Sequence, residues 1–256
     1  MPLAEAALLM ACEEYPHLSL PPYLEDLDRM AARTRERIGP EATPLETIAG
    51  LNHVLFGEFG FCGNTAHYDD PRNSFLNEVI ERRTGIPITL SAIYIAVADR
   101  LNFTIDGVGL PGHFVVRHRW DCGEVFLDPF NKGAQLTQGE LEDLTRRAGA
   151  GTAVEPWLRR ATNRQILTRM LNNLKTIYIN AGIFDKALSM IDLMMMTDPA
   201  AVGLYRQRGL LRLQVRQFEG AARDFRRYVE NLRSSQDPSR IRESVRDLAR
   251  IQAMLN

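Results

Sequence analysis

Apolar residues recur at threes and fours through the first 60 positions and again from Thr162 onward, and between these stretches, over Phe103–Phe130, the period falls to two. Ala4–Glu14 reads as a short helix. Pro21-Pro22 opens a second, in which Leu24, Leu27, Met30 and Ala31 share a face. Pro40 and Thr43-Pro44 end it and begin a third, carrying Leu45, Ile48, Leu51, Leu55 and Phe59. The glycines of Phe56–Asn64 break the pattern, and an irregular loop runs to Pro71. A short helix follows up to Arg83, with Ser74 or Asn73 as its cap. Thr84-Gly85-Ile86-Pro87 is a stop. Beyond it Thr89–Leu101 predicts a helix that is apolar almost all round, as a helix in the middle of a domain is.

Phe103–Leu110, His113–Trp120 and Glu124–Phe130 are rich in β-branched and aromatic residues and bounded by Gly, Pro and Asp, the pattern of strands. Asp121-Cys122-Gly123 between the last two is a hairpin signal, and Leu136–Ala148 adds a helix. Helices, a buried central helix and an antiparallel meander make the N-terminal half α+β. From Thr162 the chain is helical and repeats. A shift of 34 places Leu171 on Tyr205, Ile177 on Leu211, Phe184 on Phe218, Ala187 on Ala221 and Ile191 on Phe225. With Gly209 and Pro199, this is the spacing of tetratricopeptide repeats, in which small residues let two helices cross closely and an aromatic fills the adjoining hole. Arg240–Leu255 reads as a closing helix. The expected division is an α+β domain over residues 1–160 and a helical tail over 161–256.

Composition narrows the class without naming a function. The chain is 45% hydrophobic and 25% charged, ordinary for a globular protein. Its longest uncharged apolar run, Gly85–Ala98, is too short for a bilayer, and the N-terminus lacks the basic start of a signal peptide. Cys12, Cys62 and Cys122 are scattered and form no CxxC, so a disulfide framework is not expected. A cytoplasmic protein without membrane contact is the expectation. The net charge of −1 hides an asymmetry: residues 1–30 hold six acids against Arg29, while residues 202–256 hold twelve arginines against six acids. Arg208, Arg212 and Arg216 fall four apart, with Arg223, Arg226 and Arg227 after them. Nucleic acid is the weaker reading of this stripe, since arginines commonly solvate the outer faces of helices.

The strongest local signal is GHFVVRHRW…VFLDPF. His113 begins a strand and Asp128 ends the next. A two-residue turn puts them on one face, diagonal to each other, whereas a three-residue turn puts them on opposite faces. On one face, the carboxylate fixes the tautomer of the imidazole and stabilises the imidazolium, as a general base requires.

The stretch YDDPRNSFLNEVIERRTGIPITLSAIYIAVADRL, with GVGLPGHFVVR and FLDPFNKG, resembles the bacterial SirB-type family, a transglutaminase-like domain joined to tetratricopeptide repeats, over roughly residues 40–256. The resemblance implies a cysteine-protease-like fold, with a central helix packed on a small antiparallel sheet, followed by the repeat tail. It also implies a nucleophilic cysteine at the N-terminus of the central helix, where the helix dipole lowers a thiol pKa. This chain departs there, because Pro87 stands at that position. Cys62, in the glycine-rich loop, and Ser91, one turn into the helix, are the substitute nucleophiles to consider; Thr89 carries a further hydroxyl.

Asn73, Asn77 and Glu81 are spaced four apart, and Asn64, Asp70 and Arg72 come from the preceding loop. In the family this segment belongs to the signature, which implies that these residues border the cleft beside His113, with Arg117 on the same strand. They can bind a peptide or a polar molecule, or they can satisfy the backbone of loop 60–72. His53, His67, His113 and His118 show no metal-ligand spacing and no phosphate loop occurs, so no metal or cofactor is expected. Two functions follow. One is a non-catalytic or vestigial transglutaminase-like domain, with protein or peptide partners at the tail and the His113 cleft. The other is a hydrolase or transamidase that uses His113 and Asp128 with a substitute nucleophile.

Overall fold

The computed structural model describes residues 1–121 and 123–233. The expected helix Arg240–Leu255 lies outside the described residues. The chain divides into two compact units between Met170 and Leu171. None of the helices among the described residues is long and apolar enough to cross a membrane.

The first unit opens with α1 (Leu3–Ala11), α2 (Pro21–Ile38) and α3 (Pro44–Asn52), the last running into a wider helical turn at His53–Glu58. Proline occupies the first turn of α2 and of α3, where its missing N–H is no loss. Thr43 also caps α3 reciprocally: its hydroxyl accepts from the Glu46 amide while the Glu46 carboxylate accepts from the Thr43 amide at 2.8 Å. After loop 60–70 come a tight 3-10 turn, Pro71–Ser74, and then α4 (Leu76–Arg82) and α5 (Pro87–Arg100). Every residue of α5 from Pro87 to Ala98 is buried, as its all-round apolar sequence requires.

Neither Ser74 nor Asn73 caps α4. The residue before it is Phe75, with no side-chain cap bond. The intervening 3-10 turn is what takes a cap, with the Asp70 carboxylate accepting from the Arg72 amide at 2.9 Å. A two-residue parallel pair, β1 (Cys62–Gly63) with β2 (Thr84–Gly85), ties the loop to the chain just before α5.

The main sheet is the antiparallel meander β3 (Asp106–Leu110), β4 (His113–Trp120), β5 (Gly123–Asp128) and β6 (Ala134–Leu136), in that order. Trp120 pairs with Gly123, so the hairpin turns on two residues. The first strand starts later than Phe103 because Phe103 stacks on His118 at 4.1 Å and the Thr104 carbonyl faces His118 Nδ1 at 2.8 Å. The third ends at Asp128 because Pro129 opens a 3-10 turn, Pro129–Asn131. One sheet face closes on α6 (Gln138–Arg147): Val108, Leu110, Val115 and Phe126 form a cluster with Leu141 and Val154. Each such large side chain contributes about 1.5–3 kcal/mol through burial.

In the tail, α7 (Asn163–Asn180), α8 (Phe184–Thr197), α9 (Gly203–Gln214) and α10 (Phe218–Arg233) follow the 34-residue offset. The ends of α7 and α9, at Asn180 and Gln214, and the starts of α8 and α10, at Phe184 and Phe218, are each 34 apart. A Cβ at Gly209 would lie 2.7 Å from the Phe225 ring, so this glycine is what lets α9 and α10 cross closely. The first turns of α7 stay with the first unit, past residue 160. Arg169 Nη2 donates to the carbonyls of Leu110 and His113, and Ile166 lies against Gly107.

Candidate functional site

His113 and Asp128 come together as the two-residue hairpin dictates. Val116 pairs with Leu127, which sets Asp128 opposite Val115 and diagonal to His113 on one face. His113 Nε2 stands 2.9 Å from Asp128 Oδ2. The Asp128 side chain is 1% exposed and that of His113 13%.

Asp128 has other partners as well. Its Oδ1 accepts from the Phe130 amide at 3.0 Å and the Asn131 amide at 3.4 Å, and its Oδ2 accepts from Asn131 Nδ2 at 2.7 Å. Burial alone would raise its pKa. The bonds from His113, Asn131 and the Phe130 amide prevail and hold the carboxyl below its ordinary value. An ionised carboxylate only accepts, so His113 carries its proton on Nε2 and turns the Nδ1 lone pair outward. Nδ1 has no hydrogen-bond partner among the described residues.

Phe130 links this pair to the start of α5. Its ring lies edge-on to His113 at 6.2 Å and to Tyr68 at 6.1 Å. It also covers Gly63, where a Cβ would come within 2.6 Å of the ring. Gly63 pairs with Gly85, two residues before Pro87 opens α5. Where the resemblance implies a thiol, the helix has a buried pyrrolidine ring.

The substitute nucleophiles are not hydrogen-bonded to His113. Cys62 Sγ is 3.6 Å from Thr84 Oγ1. Ser91 is fully buried in α5, its hydroxyl without a partner among the described residues. Thr89 spends its hydroxyl on structure, donating to the Asn73 carbonyl at 2.8 Å and accepting from the Ile86 amide at 3.1 Å.

Two members of the polar constellation, Asn64 and Asn73, bond the backbone of the loop. Asn73, wholly buried, donates to the carbonyls of His67 and Tyr68 at 2.7 and 3.1 Å and accepts from Asn64 Nδ2 at 3.1 Å. Asn64 in turn accepts from the His67 amide. Asp70 pairs with Arg72 at 2.7 Å and Arg82 at 3.6 Å. Glu81 is exposed and accepts from the Tyr23 hydroxyl. Asn77 is buried, its Oδ1 unpartnered among the described residues. Arg117 is buried over the Phe126 ring, donates to the Leu158 carbonyl at 2.9 Å, and pairs with Asp106 and Glu124 at 3.4 Å.

Phe130, Asn131, Tyr68 and Arg169 escaped the reading of the sequence. Asp-Pro at 128–129 is a turn-initiating pair, which could have pointed to Asn131 as a partner of Asp128. Among the described residues, no three His, Cys, Asp or Glu side chains gather as metal ligands do.

The model of the transglutaminase-like superfamily matches residues 21–172, and that of the tetratricopeptide repeat residues 174–256. The chain belongs to the transglutaminase-like superfamily. A UPF0162 protein of Xylella fastidiosa is 37% identical to this transglutaminase-like chain over 254 residues, 97% of it and 90% of the relative. The UPF0162 protein of Vibrio cholerae is 28% identical over 85% of this chain and 79% of its own. The mouse F-box only protein 21 is 33% identical over 149 residues, 54% of this chain but 23% of its own. No solved structure matches.

Proposed function

We propose that this chain works in the cytoplasm as a non-catalytic transglutaminase-like domain that, with its tetratricopeptide repeats, binds a protein partner in a regulatory role. The observation that carries this reading is Pro87 in the first turn of α5. It offers neither a thiol nor a hydroxyl at the helix N-terminus, and His113 Nδ1 meets no substitute among the described residues. The repeats point the same way, since such repeats generally mediate protein interactions. The test uses the purified full chain with peptide, amide and glutamine-plus-amine substrates. Wild type and His113→Ala should both stay at the buffer rate. Turnover by wild type that His113→Ala abolishes would overturn the proposal.

A second reading is favoured by the 2.9 Å His113–Asp128 contact itself. On that reading the chain is a hydrolase or transamidase, and Cys62→Ala or Ser91→Ala should abolish turnover along with His113→Ala.

A further inference from the structure

A concavity of the first unit lies along β3, has a volume of about 280 Å³, and is lined by residues that include Phe114, Trp157, Arg159, Arg160, Gln165 and Arg169. Three of these six are cations and none is an acid. Arg160 is neutralised by Asp106 at 3.1 Å, a carboxylate that Arg117 also shares. Arg159 and Arg169 have no carboxylate partner among the described residues.

Arg169 is the informative one. Its Nη2 is spent on the carbonyls of Leu110 and His113, at 2.8 and 2.7 Å. Its Nε and Nη1 have no acceptor among the described residues. The guanidinium lies 5.5 Å from the centre of the Phe114 ring, and Nη1 sits where a Cβ on Gly109 would come within 3.1 Å. Glycine at 109 thus leaves room for the fork to lie against the strand. Burial lowers the Arg169 pKa, partly offset by the Tyr68 phenol. Three of its five N–H donors are thus idle and available to an anion in the cavity. Trp157, 40% exposed, forms an apolar wall of the same cavity.

We propose that this cavity binds a carboxylate carried on an apolar or aromatic body. The idle donors of Arg169 together with Arg159 take the two oxygens, and Trp157 and Phe114 take the body. The aromatic walls, which take an apolar body and have nothing to offer a bare inorganic anion, distinguish this site from a general attraction to anions. The cavity has room for one residue, so the carboxylate belongs to a free small acid or to the C-terminus of a peptide. The proposal stands whether or not His113 has a nucleophile.

The test is calorimetric titration of the full chain with N-acetylphenylalanine, with its amide, with a tetrapeptide ending in phenylalanine, and with inorganic phosphate. The free acid should bind at least tenfold tighter than the amide, and phosphate at equal concentration should not displace it. Tighter binding of the tetrapeptide assigns the carboxylate to a peptide terminus; equal or weaker binding assigns it to a small acid. Arg159→Gln alters an exposed side chain and should weaken the acid at least fivefold. Arg169→Lys, which keeps the charge but loses the donors that the two carbonyls hold in place, should do the same. Equal binding of acid and amide, binding of neither, displacement by phosphate, or wild-type affinity in both variants would overturn the assignment.

Discussion

Asp128→Asn should destabilise the first unit far more than His113→Ala, although the two residues form one pair. The wild-type carboxylate accepts three bonds from the turn after it, from the amides of Phe130 and Asn131 and from Asn131 Nδ2, besides the one from His113. In the asparagine variant Oδ1 still accepts from the two amides, but without a full charge. The new NH2, buried where the carboxylate oxygen stood, points its hydrogens at Asn131 Nδ2, 2.7 Å away, and at His113 Nε2, so a buried donor meets donors and no acceptor. An unsatisfied buried donor costs about 1–3 kcal/mol, and weakening two charge-assisted bonds adds roughly 1 kcal/mol. The sum is about 2–4 kcal/mol, a large share of the ~5–15 kcal/mol a domain has. His113→Ala removes one bond from a partner that keeps three, at about 1–2 kcal/mol.

Urea unfolding followed by tryptophan fluorescence isolates this effect, because both tryptophans, Trp120 and Trp157, lie in the first unit. The pH dependence is a second check. The Asp128 carboxyl is held below its ordinary 3.8 in the folded chain, so its stabilisation is full above that value. It is lost as pH falls through the lower folded value. The gap between wild type and Asp128→Asn should therefore narrow below about pH 4. A cost under about 0.5 kcal/mol, a larger effect for His113→Ala, or a gap that does not change with pH would refute the reasoning.

Three further outcomes are expected. Thr89→Val keeps the shape but strands the Asn73 carbonyl and the Ile86 amide, and should cost about 1–3 kcal/mol by the same urea assay. Gly209→Ala should destabilise α9 and α10 by about 1–2 kcal/mol, because the contact with the Phe225 ring outweighs the ~1 kcal/mol gain in helix propensity; amide hydrogen exchange over residues 203–233 reads this directly. Pro87→Cys should place a thiol at the positive end of α5. That thiol should then ionise below the ordinary thiol pKa, read by the ultraviolet absorbance of the thiolate against pH.

The elements that could be read from the sequence are those set by periodicity or by a local residue with one possible role. The all-apolar run after Pro87 could only be buried, and the 34-residue offset placed the helices of the tail; the sequence left the hairpin turn at two residues or three, and the observed register puts His113 and Asp128 on one face. Short or long-range features gave no such signal. Pairing Cys62-Gly63 with Thr84-Gly85 involves two residues on each side, too few for alternation to show. Strand Ala134–Leu136 is three residues long and mostly exposed, so its polar sequence looks like a loop. The arginine stripe was legible as a pattern but not as an interaction. Arg208 grips Asp224 through two bonds and Asp192 through a third, and Arg212 also reaches Asp224 at 2.6 Å, so two of the three cations are already engaged. Arg169 looked like any polar residue of a helix start, because its acceptors are carbonyls more than fifty residues earlier.

The two members of the pair differ in what they say about function. Asp128 closes the turn that carries Phe130, and Phe130 packs on Gly63 beside the start of α5. A fold that needs this turn has reason to keep the aspartate whether or not any proton is transferred. Asp128 beside His113 is therefore weak support for catalysis. His113 is different: its backbone belongs to the strand pairing and to Arg169, while its ring makes a single hydrogen bond and leaves Nδ1 free among the described residues. Little in the packing requires an imidazole there. The side chain that separates a working site from a structural one is thus His113, and a change at Asp128 would confuse loss of function with loss of fold.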